Sequence, residues 1–133
     1  MKIRQVLGDG SCLIHSILGQ VCNYYNSLED DKKSKHARLV RKEISNIVTE
    51  EVFDKLSNGH LKEFISYEDW KKLMDSDSPL GEECLEILGI YFQVNIHIYW
   101  KDMEVYPVYT KHYREHHNVH IYWSGNHYDI VEN

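Results

Sequence analysis

The chain has 133 residues, 42% of them hydrophobic and 27% charged, with a formal net charge of −6. That length supports one domain with a real core, burying roughly 70% of its unfolded surface, and the composition excludes a disordered chain. The acidic balance argues against nucleic acid, which needs a basic face, and is compatible with a cationic protein partner. No apolar run approaches the roughly 20 residues that span a bilayer, and the first residues hold no signal-peptide core, so no membrane association is expected.

The three thiols, Cys12, Cys22 and Cys84, are an odd set without framework spacing. They point to a reducing compartment and a cytoplasmic location. No repeat, low-complexity tract or linker interrupts the sequence, and residues 1–133 read as a single domain.

In chain order, the first signal is a turn at "GDG", followed by "SCLIHSILGQVCNYY" with Leu13, Ile17, Val21 and Tyr24 at helical spacing. "LEDDKKSKH" is a loop or a helix start. "ARLVRKEISNIVTEEVFDKL" predicts one long amphipathic helix with Val40, Ile44, Ile47, Val48, Val52 and Leu56 on its inner face, stopped by "SNG". A shorter helix follows Ser66, placed as its N-cap. "SPLGEECLEILGIYF" predicts another, with Ser78 as N-cap, Pro79 first, and Leu80, Cys84, Leu88 and Tyr91 on one face. The period then shifts to strands. "VNIHIYW" puts Val94, Ile96, Ile98 and Trp100 on one side, "EVYPVY" is its hairpin partner, and "TKHYREHHN" is a polar loop. "VHIYW" and "HYDIV" are the last strands, separated by the turn "SGN". Helices first and strands last predict an α+β domain, a helical half packed on a mainly antiparallel sheet.

Two stretches carry chemistry. Gly10 can take positive φ, and Ser11 or Asp9 can cap the next helix, so Cys12 falls in a helical first turn. Orphan N–H groups and the dipole there favour a thiolate and a depressed pKa, and the same N–H groups can hold an oxyanion. A buried structural cysteine can also occupy such a position; Cys22 and Cys84, inside apolar stripes, are read as that kind. At the far end, His127 follows a turn and Asp129 projects from the same strand face, so the carboxylate can fix the imidazole tautomer. Alone, "HYD" also suits a plain C-terminal hairpin with a polar face. His112, His116, His117 and His120 loosely suggest zinc, but no cysteine or helix face accompanies them; a surface loop is the reading, with no metal and no cofactor. His15 is expected to pack or cap locally.

Taken together, "GDGSCLIHSI", "PLGEECLEILGIYFQVNIHIY" and "HYDIV" resemble the ovarian-tumour (OTU) family of cysteine deubiquitinases across nearly the whole chain, in the family's order. Ile14 departs from the aromatic usual there, and the compact size is similar to small viral and bacterial members. The resemblance implies a papain-like fold and hydrolysis of bonds to the C-terminal glycine of ubiquitin, polyubiquitin or a ubiquitin-like modifier, by a monomer. It makes Cys12 the nucleophile, His127 the general base and Asp129 its orienter. Asp9 is the motif aspartate, which shapes the loop and is counted with the catalytic set. The backbone N–H groups of Asp9, Gly10 and Cys12 are the implied oxyanion donors, and Trp123 and Asn126 wall the substrate channel. The alternative is a catalytically silent ubiquitin-binding module on the same scaffold.

Overall fold

The structure, a computed structural model, describes residues 1–101, 103–105 and 113–132. Its elements are β1 (Lys2–Arg4), α1 (Cys12–Val21), α2 (Asn23–Asn26), α3 (Asp30–Ile47), α4 (Glu50–Lys55), α5 (Leu61–Phe64), α6 (Tyr67–Met74), α7 (Leu85–Phe92), β2 (Val94–Trp100), β3 (Met103–Val105), β4 (His117–Trp123) and β5 (Tyr128–Glu132).

One mixed sheet runs β1-β5-β4-β2-β3. The β1–β5, β4–β5 and β2–β3 pairings are antiparallel, while β2 and β4 run parallel with Ile96 opposite Val119 and Ile98 opposite Ile121. The parallel pair arises because β3 covers one edge of β2 before the chain returns on the other edge as β4. The expected hairpin after Trp100 is present over Met103–Val105; residues 106–112, with Pro107 and His112, lie outside the described residues.

Helix α1 packs against β4 and β5, and its first eight residues, Cys12 to Gly19, are all buried. A helix surrounded on every side needs no single stripe, so Val21 and Tyr24 of the expected stripe are exposed at its end. The chain bends at Cys22, whose extended backbone (φ −130°) separates α1 from α2.

The long helix expected over 37–56 is two. Val48 and Thr49 turn extended, and the Thr49 hydroxyl accepts the Val52 N–H at 3.2 Å as the N-cap of α4. The two β-branched residues resist helix here while threonine offers a cap. Consequently Ile47 and Val52 face solvent, whereas Val40, Ile44, Val48 and Leu56 are buried. Ser66 caps α6 as expected, accepting the Asp69 N–H at 3.1 Å.

Ser78 and Pro79 do not start a helix. A short 3₁₀ turn begins at Glu82 and α7 at Leu85, so residues 78–81 form an irregular segment. The Ser78 carbonyl there is held by a buried arginine instead of by a helical N–H. Strand β1 has no counterpart in the sequence reading. Three residues, "KIR", are too few for an alternation, and the strand exists because β5 offers it an edge.

Replacing Ile121, which is fully buried in β4, with alanine should cost about 2–5 kcal/mol, read as a lower urea midpoint at unchanged slope. Ile47→Ala should change stability by no more than about 0.5 kcal/mol, because that side chain is 56% exposed. A large loss there would restore Ile47 to the core.

Candidate active site

Residues 8–12 form a tight loop into α1. Gly10 has φ +90°, and a methyl group placed on it would lie 1.9 Å from the Asp77 carbonyl oxygen, so only glycine fits. Ser11 precedes α1, but its hydroxyl makes no cap bond; it accepts from Arg41 Nη1 at 3.0 Å. Asp9 orders the loop instead, its Oδ1 accepting the Ser11 N–H at 3.1 Å.

Behind the loop lies a polar network. Asp9 accepts from His15 Nε2 at 3.0 Å to both oxygens and from the Ser34 hydroxyl at 2.5 Å. His15, fully buried, is hydrogen-bonded through Nδ1 to the Tyr25 hydroxyl. Burial alone would raise the Asp9 carboxyl, but the bonds from Ser34, His15 and the Ser11 N–H together hold it below its ordinary value. His15 thus packs locally, as expected, and it also anchors the loop.

At the other end of the chain, β5 projects Asp129 inward. Its Oδ1 accepts the Val6 N–H at 2.9 Å and His127 Nε2 at 2.8 Å. With Nε2–H committed to the carboxylate, Nδ1 of His127 carries the free lone pair. A methyl group placed on Gly8 would lie 3.8 Å from Cε1 of His127, so the imidazole sits against the start of the cysteine loop.

Cys12 lines a cavity of about 250 Å³. The rest of its lining comes from two segments, one with Pro79, Leu80, Gly81 and Glu83 and one with Trp123, Asn126 and Tyr128. The structure therefore brings together Cys12, Trp123 and Asn126, with His127 between Asn126 and Tyr128 in the chain. Asp9 does not line this cavity; it stands behind the loop. Burial pushes the Cys12 thiol up, against the pull of the Tyr128, Leu13 and Cys12 backbone groups, and the Asp129 charge pushes it further. The expected depressed pKa is thus overturned: at 6% exposure, desolvation outweighs the helix start.

Cys84 is fully buried in the core, as read, and burial raises its thiol far above the usual range. Cys22 is only partly buried; its sulfur accepts the Tyr25 N–H at 3.4 Å. Among the late histidines, His120 is hydrogen-bonded to the Tyr99 hydroxyl at 2.8 Å and stacks on His97 at 4.8 Å. Among the described residues, no three of His, Cys, Asp and Glu stand where they could hold a metal.

The residue that sequence reasoning missed is Arg41. Its one signal was a cation at helical spacing between Ala37 and Ser45, on the buried face of α3. Ser34 and Tyr25 gave no signal, since their partners depend on how α2 and α3 pack on α1.

A family model described as OTU-like cysteine protease matches residues 7–128. The chain belongs to that family. The enzyme class expected from its motifs, a cysteine-type ubiquitinyl hydrolase of the OTU kind, is the class that goes with it. Two solved structures are similar to this OTU domain. The OTUD1 OTU domain has 18% identity and a TM-score of 0.66, covering 98% of this chain and 85% of its own. An OTU domain in complex with ubiquitin has 18% identity and a TM-score of 0.63, covering 97% and 67%. At that identity both likenesses speak to the fold, which is the papain-like α+β fold expected. No curated protein sequence matches the chain. Among the described residues, no helix is long and apolar enough to cross a membrane.

The depressed Asp9 pKa has a consequence for acid stability. Its contribution is fully present above the unfolded-state value of about 3.9 and is lost as pH falls through the lower folded value. Between about pH 5 and pH 2, Asp9→Asn should therefore lose less stability than wild type, measured by urea unfolding at each pH. Parallel losses would mean that the network does not favour the carboxylate.

Proposed function

We infer that this OTU domain hydrolyses isopeptide bonds at the C-terminal glycine of ubiquitin, with Cys12 as nucleophile, His127 as general base and Asp129 as its orienter. The observation that carries this reading is that Cys12 and Tyr128 line one cavity, while His127, the chain neighbour of Tyr128, is held by the buried Asp129 carboxylate. The fold's likeness to an OTU domain in complex with ubiquitin supports the substrate.

The chemistry follows from the geometry. In the free protein the sulfur is a thiol, since burial disfavours its charge. Nδ1 of His127 takes the proton as the sulfur attacks the glycine carbonyl, and the oxyanion is met by the N–H groups of Asp9, Gly10 and Cys12. The Ser11 N–H does not join them, because Asp9 already holds it. The imidazolium returns its proton to the departing lysine amine, and water activated by the same nitrogen cleaves the thioester. Asp129 keeps Nε2–H oriented and stabilises the imidazolium.

Gly81, Trp123 and Asn126 all line the cavity, and a channel built from them would take a tail ending in two glycines and exclude one with side chains. Trp123 and Asn126 serve as the channel wall. Asp9 belongs to the site as the residue that shapes its loop. The protein works as a monomer in the cytoplasm, on polyubiquitin chains or on a related modifier.

Release of a coumarin amide from the ubiquitin C-terminus tests these roles. Cys12→Ala should abolish turnover with an unchanged Tm, and His127→Ala should lower kcat by about 10²–10⁴. Asp129→Asn, which still accepts the Val6 N–H, should cost less than His127→Ala. Asp129→Ala should lower Tm as well, since it strands a buried N–H. Turnover surviving in Cys12→Ala would refute the assignment.

A further inference from the structure

We propose that Arg41 is a positioning residue that fixes the cysteine loop against the segment leading into the Pro79–Gly81 side of the thiol cavity and so sets the geometry in which the substrate tail lies. This role attaches to the site proposed above.

Arg41 is 1% exposed. Its guanidinium makes five hydrogen bonds, and together they use every N–H it has. Nη1 donates to the Gly10 carbonyl at 3.3 Å and the Ser11 hydroxyl at 3.0 Å. Nη2 donates to the carbonyls of Leu73 at 2.7 Å and Ser78 at 2.8 Å, and Nε donates to that of Met74 at 2.9 Å. One end of this clamp is the loop that carries Cys12. The other is the end of α6 and the segment leading into Pro79, Leu80 and Gly81, which line the cavity.

The two ends touch directly. Gly10 packs on the backbone of Asp77 and Ser78 so closely that no Cβ fits. The peptide joining Gly10 to Ser11 is thereby pinned on both sides, its carbonyl by Arg41 and its N–H by Asp9. A pinned peptide cannot rotate its carbonyl toward the sulfur, where it would repel a developing oxyanion. None of the five acceptors is a carboxylate, so no ion pair explains why a cation is buried here; the fork geometry does. A lysine could satisfy at most three of these acceptors from one nitrogen.

Three readouts on Arg41→Lys separate positioning from general stabilisation. Hydrogen exchange should quicken at least tenfold in peptides covering residues 9–15 and 73–81 together, with β2, β4 and β5 still protected. Alkylation of Cys12 by iodoacetamide, which builds no oxyanion, should keep the pH dependence of wild type, with a rate no lower than wild type. Turnover of the ubiquitin coumarin amide should fall at least tenfold, mainly in kcat. Wild-type exchange in both stretches with wild-type kcat would overturn the proposal. So would loss of protection spread over the whole sheet with alkylation altered to match, since Arg41 would then be only a fold stabiliser. Should the lysine variant fail to fold, Arg41→Gln, which buries no unpaired charge, gives the same readouts. If wild type itself leaves the ubiquitin substrate uncut, the substrate reading fails, while exchange and alkylation still decide the role of Arg41.

Discussion

A single carboxylate oxygen joins the two ends of the chain at the site. Oδ1 of Asp129 accepts from the Val6 backbone and from His127 at once. The first contact ties down the segment leading into the cysteine loop; the second sets the imidazole tautomer. Residues 123 apart in sequence are thus held in one arrangement by one buried acceptor. Antiparallel pairing of β1 with β5 brings the ends together, and Arg4 adds an ion pair with Glu132. That surface pair contributes little, being partly exposed; the buried carboxylate sets the geometry.

The cysteine loop is supported in the same manner from two other directions. Asp9, His15, Ser34 and Tyr25 hold it from behind, and Arg41 holds it against the end of α6. Such networks are costly when half-satisfied, because each unpaired buried group loses its hydration without a replacement. Here they are nearly complete, so the loop needs no contact with substrate to find its shape. The sulfur's environment follows from the same packing. Burial disfavours the charged form of the Cys12 sulfur.

Cys12, His127 and Asp129 stand out in the sequence as candidates because each sits beside a local device, a glycine turn or a strand with period two. The mixed sheet was legible as strands, but the parallel pairing of β2 with β4 was not. It depends on which edge of β2 the returning chain takes, and no local pattern encodes that. The break at Val48–Thr49 was missed because the apolar spacing of Ile44, Val48, Val52 and Leu56 runs straight through it. Ser78–Pro79 was a sound start signal overridden by tertiary structure: Arg41 claims the Ser78 carbonyl, and the segment becomes a wall. The direction of the Cys12 pKa shift was misread for a related reason. A helix start is visible in sequence, whereas the burial that opposes it appears only when α1 is enclosed by the sheet.

The most direct measurement of the central assignment is to expose the protein, under reducing conditions, to ubiquitin carrying a C-terminal electrophile and to map the adduct by peptide mass spectrometry. One adduct per chain, on Cys12 and not on Cys22 or Cys84, is the predicted result. An intact protein without adduct, or an adduct on either of the other two thiols, would contradict it.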